Sequence, residues 1–272
     1  MSNEQRATSL KKIFLSLIAN CSLLIFLSCD DAPKRLFSEA EKDLLDGKYK
    51  QAIEKYNQIL ERYPRSGLTE EVLYRLGETY FLNISDIQSA LIYFSELIAK
   101  GKTNKISYKS QKYIAQIYDE YLKNYDQAII EYHKLIDTFK RWGEIDINQY
   151  NIAMCYFKKG DYDQATTEVK ILLEKYPRSE LSPDAMYLFA NCKYLLGRCD
   201  EAITGYKKLI ERYPISKYIV DAKYGIGMCL EEEEKLQEAL LVYKEIKDVY
   251  VNTVAITNKI NGVEERLSNR GR

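Results

Sequence analysis

The sequence predicts an all-α protein built from about six repeated helix pairs, because two recurring phrases share one period. A hexapeptide written ERYPRS at Glu61–Ser66 returns as EKYPRS at Glu174–Ser179 and as ERYPIS at Glu211–Ser216. A second phrase, centred on an alanine, recurs every 37 or 38 residues along the 272-residue chain. Its alanines are Ala52, Ala90, Ala128, Ala165, Ala202 and Ala239. Each proline of the hexapeptide lies twelve residues after one of these alanines, so both phrases indicate a single repeat array.

The composition supports this fold class and limits the possible functions. Hydrophobic residues make up 46% and charged residues 29%, which is typical of a soluble globular protein. With 12 Gly and 5 Pro, the chain is poor in the residues that a sandwich or barrel needs for its turns. The formal net charge is 0, so we expect no nucleic-acid partner, which requires a basic surface.

The N-terminus differs from the rest of the chain and is typical of a secretory signal peptide. Basic residues occur at Arg6, Lys11 and Lys12. An apolar run of fifteen residues, Ile13–Leu27, follows them. The run is shorter than the ~20 residues that a membrane-spanning helix needs, which favours a signal peptide. A permanent transmembrane anchor is the alternative interpretation. The sequence therefore predicts a signal peptide over residues 1–28.

The stretch FLSC at the end of this segment resembles the lipoprotein box of bacteria, in which cleavage falls before a cysteine that is then acylated. Ser28 and Cys29 fit this box, whereas the Phe and Leu before them depart from it. The resemblance implies palmitate or a similar acyl anchor on Cys29, with residues 29–32 as a short tether. The expected location is the cell envelope, facing the periplasm, at the outer membrane. Asp30 resembles the inner-membrane retention signal of enteric bacteria and leaves the inner membrane as the alternative.

Residues 182–214 show how one repeat predicts two helices. Ser182 suits an N-cap and Pro183 suits the first helical position. Apolar residues then recur at steps of three and four until a Leu-Gly-Arg segment interrupts them. A second amphipathic helix begins near Asp200 and ends before Pro214, because the residue before a proline is pushed out of the α region. Each hexapeptide therefore ends one pair, and its serine belongs to the start signal of the next.

The pattern inside each pair resembles the tetratricopeptide repeat. A small residue in the first helix precedes each alanine by twelve or thirteen residues and lets the two helices approach closely. These small residues are Ala40, Gly77, Ala115, Ala153, Ala190 and Gly227. Tyrosines three residues after the small residue and four after the alanine match the family signature, with Lys193, Leu230 and Val169 as departures. The resemblance implies a right-handed solenoid of about six tetratricopeptide-like helix pairs over residues 33–250, with a C-terminal capping helix and tail over 251–272.

Few residues offer the chemistry of catalysis or metal binding. His133 is the single histidine, and we expect it on a solvated or packing face of a helix. The carboxylate run Glu231–Glu234 is interpreted as a solvated face at a turn. The repeats leave no room for a catalytic domain, and one histidine cannot complete a set of nucleophile, base and orienting group. The sequence therefore predicts no metal site, no cofactor and no enzymatic activity.

The cysteines of the repeat array are predicted to be small buried packing residues. Cys155, Cys192 and Cys229 occupy one register of three successive repeats. Neighbouring repeats lie about 10 Å apart, beyond the ~7 Å between Cα atoms that a disulfide tolerates. Cys199 follows Cys192 by seven residues, which is also about 10 Å along a helix. We therefore expect no disulfide framework.

Aromatic residues are in excess, with 24 Tyr and 8 Phe. In the tetratricopeptide family, the residues three before and four after the small residue line a concave groove that binds peptide segments. The candidate partner-binding groove of this chain comprises Tyr74, Phe81, Tyr150, Phe157, Tyr187, Tyr194 and Tyr224. The alternative is that these rings only pack against the next repeat.

Two longer stretches resemble families of envelope proteins. The stretch from Leu36 to Phe81 resembles the BamD-like outer-membrane assembly lipoproteins, which implies docking onto an outer-membrane insertase and handling of unfolded barrel chains. The stretch from Tyr176 to Leu230 is similar to the YbgF-like coordinators of Tol-Pal, which implies a role in envelope constriction or cell-wall synthesis. Lipidation at Cys29 favours the first function, and the second is the alternative. Both predict a protein–protein interaction scaffold; a wall or peptide hydrolase fused to repeats is the contrasting hypothesis.

Overall fold

The structure is a computed structural model that describes residues 31–270. Over this range the chain forms thirteen α-helices and no strand, which confirms the all-α fold class. The described residues divide into two compact units, one that ends at Ile114 and one that begins at Ala115.

The first unit contains two of the predicted helix pairs. Its helices are α1 (Asp31–Leu45), α2 (Tyr49–Arg62), α3 (Thr69–Glu78), α4 (Ile87–Ala99) and the first part of α5 (Lys105–Gln116). Helix α1 packs on α2, and α3 packs on α4. Asp31 and Ala32, the last two residues of the predicted tether over residues 29–32, are helical and belong to α1.

The second unit continues the pairing and ends in the predicted cap. Its helices after α5 are α6 (Tyr125–Thr138), α7 (Ile145–Lys159), α8 (Tyr162–Lys175), α9 (Ser182–Leu195), α10 (Cys199–Arg212), α11 (Ile219–Glu232), α12 (Leu236–Ile246) and α13 (Thr253–Arg270). Helices α7/α8, α9/α10 and α11/α12 form the fourth, fifth and sixth pairs, and α13 packs on α12. The last helix lies within the predicted capping segment 251–272.

The alanine and the small residue bring the two helices of a pair together, as predicted. All six repeat alanines are fully buried. At Gly77 an added Cβ would lie 2.4 Å from a ring carbon of Phe94, and at Gly227 it would lie 2.4 Å from a ring carbon of Tyr243. Since real Cβ contacts are longer than 3.0 Å, these two pairs have no space for a larger residue.

The tyrosines four residues after the alanine fill the middle of the pairs. Tyr206 is buried, and its hydroxyl donates a hydrogen bond to Asn191 at 2.6 Å. The hydroxyl of Tyr132 donates in the same way to Asp119 at 3.3 Å. A tyrosine at this position thus buries apolar surface between the two helices, and its hydroxyl group still has a hydrogen-bond partner. Val169, which departs from the signature, fills the register with a smaller buried side chain.

One turn between the two helices recurs in all six pairs. The residue five positions before the alanine has a positive φ in every pair: Gly47, Ser85, Lys123, Gly160, Gly197 and Glu234. In the second and third pairs the small residue precedes the alanine by thirteen residues rather than twelve. In these two pairs the first helix ends in a π-helical turn, Thr79–Ile84 and Ile117–Tyr121. The extra residue is therefore absorbed in the helix as a wider turn, and the loop keeps its form.

The hexapeptide ends the second helix, as predicted. Helix α10 stops at Arg212, and Tyr213 follows it with a non-helical backbone. The Ser216 hydroxyl accepts a hydrogen bond of 3.3 Å from the backbone N–H two residues later, which shapes the turn into α11. The predicted N-cap role of Ser182 is wrong by one residue. Ser182 is the first helical residue, and its hydroxyl donates to the carbonyl of Ser179 at 2.8 Å.

Candidate partner-binding site

The predicted lipid anchor, Cys29, lies outside the described residues. The predicted signal peptide, residues 1–28, lies outside them as well, so both stay predictions. Among the helices between residues 31 and 270, none has the length and apolar character that crossing a membrane requires.

In the first unit, the predicted groove residues lie in an aromatic cluster. Tyr74 and Phe81 are both buried. The Tyr74 ring centre lies 6.2 Å from that of Phe94, and the Tyr74 hydroxyl donates to Glu78 at 2.6 Å. The ring of Phe81 meets the ring of Tyr113 edge-on at 5.5 Å. These two residues therefore contribute to the packing of this unit.

In the second unit, two groove residues stack on tyrosines of the following turn. The ring centre of Tyr187 lies 4.4 Å from that of Tyr218, with the ring planes 13° apart. Tyr224 stacks on Tyr250 in the same way, at 4.6 Å and 14°. Both rings are half-buried. One ring face of each tyrosine is thus covered by the next part of the array.

The remaining three groove residues are also half-buried. Burial raises the pKa of Tyr150 above its usual value. The ring of Phe157 lies 5.6 Å from that of Tyr162, and the Tyr194 hydroxyl donates to Glu232 at 2.7 Å. All seven rings of the predicted groove therefore take part in packing. Their role in binding a partner stays a prediction.

A pocket that the sequence analysis did not predict opens in the second unit between α8, α9 and α10. Its volume is about 460 Å³, which lies in the range of ~300–1,000 Å³ found for ligand sites. Leu173 of α8 and Met186 and Phe189 of α9 supply its apolar lining. Thr204 and Gly205 of α10 complete the wall. Its apolar lining suits an apolar group.

Gly205 forms part of the wall of this pocket and contributes no side chain to it. It lies three residues after the repeat alanine Ala202, a register in which the other pairs carry larger side chains. Those side chains are Lys55, Tyr93, Glu131, Glu168 and Val242. A Cβ at Gly205 would lie 3.1 Å from the Cβ of Ala190, so the backbone of α10 also approaches α9 closely here. The glycine at this position, where the other repeats have larger side chains, is the signal by which the site could be found in the sequence.

Charged side chains of both signs border the pocket. Glu201 lies near the start of α10, Lys208 two turns later, and Lys170 on α8. The buried ammonium of Lys193, which replaces the tyrosine of the family signature, pairs with Glu201 at 2.8 Å. This pairing lowers the pKa of Glu201. The Lys193 nitrogen also lies 5.4 Å from the ring centre of Phe189, so a cation faces the pocket's aromatic residue.

The carboxylate run Glu231–Glu234 agrees in part with the predicted solvated face, because Glu232 and Glu234 are exposed. Glu231 is half-buried and accepts a 3.0 Å contact from the ammonium of Lys259. The guanidinium of Arg266 binds Glu231 at 3.1 Å and Glu234 at 2.6 Å. These ion pairs hold the capping helix α13 onto the sixth pair.

Other candidate chemistry is sparse in the second unit. His133 is exposed on α6, in agreement with the predicted solvated face. Cys155, Cys192, Cys199 and Cys229 are all buried free thiols, as expected for packing residues. Within residues 31–270, no group of three or more His, Cys, Asp or Glu side chains is arranged to hold a metal ion.

Family models match three stretches of the sequence. Two models described as "Tetratricopeptide repeat" match residues 37–66 and residues 196–248. These two stretches of the chain are therefore similar to the tetratricopeptide repeat. A third model, described as "Anaphase-promoting complex, cyclosome, subunit 3", matches residues 121–209. Both tetratricopeptide-repeat matches fall on helices of the observed pairs.

The array of helix pairs also resembles solved structures. PilW, described as a widely conserved type IV pilus biogenesis factor, aligns with 85% of this chain and 97% of its own, at 17% identity and a TM-score of 0.51. The C-terminal part of a tetratricopeptide-repeat protein from Cytophaga hutchinsonii covers 78% of both chains, at 16% identity and a TM-score of 0.57. YrrB, described as a tetratricopeptide-repeat protein with an unusual peptide-binding site, covers 75% of this chain and 96% of its own, at 15% identity and a TM-score of 0.52. At these identities the likeness is one of fold. No curated protein matches the sequence.

Proposed function

We propose that this protein is a non-enzymatic scaffold that holds partner proteins in the bacterial envelope. The observation that carries the proposal is the apolar pocket of the fifth repeat, in whose wall Gly205 lies. Its occupant is an aromatic side chain on an extended or helical segment of a partner protein. A volume of about 460 Å³ accepts such a ring, and buried aromatic anchors carry much of the binding energy of protein interfaces.

The charges around the pocket support a peptide segment rather than an isolated apolar molecule. Lys170 and Lys208 border the pocket together with Asp200 and Glu201. Peptide segments carry charges and backbone dipoles on both sides of an aromatic residue, and rim charges of both signs fix the direction of such a segment. A peptide as the ligand of a tetratricopeptide-repeat protein has a parallel in the description of YrrB.

The proposed location follows from the N-terminal sequence. A basic flank, an apolar run and the sequence Ser28-Cys29 support export and acylation at Cys29. The repeats would then face the periplasm from the outer membrane, with the inner membrane as the alternative. At this location, the function that we propose for the protein is that of the BamD-like lipoproteins. It would dock onto an outer-membrane insertase and contact unfolded barrel chains.

The alternative function is a YbgF-like coordinator of envelope constriction or cell-wall synthesis. One observation favours it: the pocket residues Met186, Phe189 and Gly205 all lie inside the stretch Tyr176–Leu230 that resembles this family. Lipidation at Cys29 favours the BamD-like function. The two functions predict different partners for the same pocket.

A photo-crosslinking experiment tests the proposal with a matched control. Thr204 and Thr167 are both exposed and each lies two residues after a repeat alanine, but only Thr204 lines the pocket. Each hydroxyl donates to the carbonyl four residues earlier, so the two positions share a local structure. A photo-reactive amino acid is placed at either position in the full chain, and envelopes are irradiated and probed for the insertase, for barrel chains and for Tol-Pal proteins.

Crosslinks from position 204, and not from position 167, to the insertase or to barrel chains would support the BamD-like function. Crosslinks from position 204 to Tol-Pal proteins would instead support the YbgF-like function. Equal crosslinking from both positions, or none from position 204, would overturn the assignment of the pocket.

A further inference from the structure

Two cysteines from neighbouring repeats face each other in the second unit. Cys199 is the first residue of α10, Cys229 lies in α11, and both belong to one buried cluster. Their thiols lie close enough to influence each other's pKa. The Cys199 sulfur also lies 3.4 Å from a carboxylate oxygen of Glu232, one turn beyond Cys229 on α11. The Cys199 sulfur therefore lies over the turn of α11 that carries Cys229.

One thiol of this pair can be reached from solvent. Cys199 lines an open cavity of about 540 Å³ together with Arg198, Glu232 and Glu233. Its exposed fraction is 8%, whereas that of Cys229 is 0%. A small reagent in this cavity therefore meets the Cys199 sulfur first, with the sulfur of Cys229 behind it.

The other two cysteines between residues 31 and 270 have different neighbours. Cys155 lies near the carboxylate of Asp119, and Cys192 lies near the ammonium of Lys193. Both have an exposed fraction of 0%. They therefore serve as internal controls for the pair.

We propose that Cys199 and Cys229 are a redox-active pair that closes into a disulfide by exchange with an external disulfide. The Cys199 thiolate attacks one sulfur of the external disulfide, and the other sulfur leaves as a thiolate. The Cys229 thiolate then attacks the Cys199 sulfur and expels the second external thiolate. The two leaving thiolates take up the two protons that the cysteines lose, so the external disulfide is reduced to two thiols while the pair is oxidised.

The pair would act slowly and would change the stability of the last repeats. Burial raises the pKa of both thiols, so the reactive thiolate is scarce at neutral pH. The disulfide would connect the fifth repeat to the sixth and close a loop of about 30 residues, which constrains the unfolded chain. We expect it to raise Tm by about 10 °C.

Oxidised glutathione is the probe that tests this proposal on the folded full-length chain. After incubation, free thiols are alkylated and the protein is digested with trypsin without reduction. Cleavage at lysine and arginine places Cys199 in peptide 199–207, Cys229 in peptide 224–235 and Cys192 in peptide 179–193. Mass spectrometry then identifies which two peptides are joined.

We expect peptides 199–207 and 224–235 to be joined, and Cys192 to be alkylated only after unfolding. A Cys229→Ser variant should stop at the first step, with glutathione attached to Cys199. A Cys199→Ser variant should carry no glutathione on Cys229. Circular dichroism confirms that each variant is folded. The proposal is wrong if the two peptides are joined only in denaturant, or if Cys192 enters disulfides as readily as Cys199.

Discussion

Replacing Gly227 by alanine tests the close approach of the helices in the sixth pair. The added Cβ would lie 2.4, 2.8 and 3.0 Å from three ring carbons of Tyr243. This ring is fully buried, and its hydroxyl donates to Glu231 at 3.0 Å, so it cannot move aside without losing a hydrogen bond. The alanine must therefore push the two helices apart.

The size of the effect follows from a comparison with Gly262. Gly262 is exposed in α13, and nothing lies within 4 Å of a Cβ added there. Alanine is favoured over glycine by about 1 kcal/mol in a helix interior, and this gain applies to both positions. Overpacking costs about 1–3 kcal/mol and applies only to Gly227. We therefore expect Gly262→Ala to raise the free energy of unfolding by about 1 kcal/mol, and Gly227→Ala to lie about 1–3 kcal/mol below Gly262→Ala.

Urea unfolding followed by circular dichroism at the helix band measures this difference. The dependence of the free energy on urea should be the same for both variants, so that the midpoints report stability. Gly77→Ala, whose Cβ would lie 2.4 Å from Phe94, should repeat the loss in the first unit. A Gly227→Ala protein as stable as Gly262→Ala would refute the helix register described for the repeats.

Three further predictions concern the turn at Lys123, the aromatic ring of Tyr187 and the thiol of Cys155. Lys123→Gly should raise the free energy of unfolding by about 0.5–1 kcal/mol in urea, because Lys123 has a φ of 50° that glycine adopts more easily. Tyr187→Ala should lower Tm through the lost stack on Tyr218, whereas lost partner binding at unchanged Tm would support the groove. Burial raises the pKa of Cys155 from an ordinary 9.0 to about 12, so above pH 9 the thiol ionises only in the unfolded chain and stability falls. Thermal melts from about pH 8 to 11 should show a smaller fall for Cys155→Ala than for the wild type, and an equal fall would contradict this cause.

The helix pairs could be predicted because residues with the same structural role recur at the same position of each repeat. Ala202 and Ala190 mark the closest approach of two helices, and Pro214 marks the end of the second helix. The π-helical turns could not be predicted in this way. An extra residue between the small residue and the alanine can enter either the helix or the loop, and the sequence does not distinguish the two. The sequence shows that the second and third pairs have an extra residue, but it does not show that this residue forms a π-helical turn.

The candidate site was harder to predict because it depends on missing and non-equivalent side chains. The groove prediction followed the family registers, yet rings such as Tyr187 and Tyr224 also serve the packing of neighbouring repeats. Gly205 in the pocket wall stands out only when one register is compared across all pairs. Cys199 and Cys229 occupy two different registers of neighbouring repeats, so a comparison of equal registers does not reveal that they lie together.

The central claim, that the pocket at Gly205 accepts a partner's aromatic side chain, is tested most directly by the affinity of the crosslinked partner for Gly205→Val. Lys55, Glu131 and Glu168 occupy the equivalent position in pairs whose small residue is also alanine, so the repeat fold accepts a side chain there. A filled pocket should raise Kd about 30-fold, as expected for the loss of an interface hot spot of about 2 kcal/mol, while the variant remains folded in a thermal melt. An unchanged Kd for a folded Gly205→Val protein would contradict the claim.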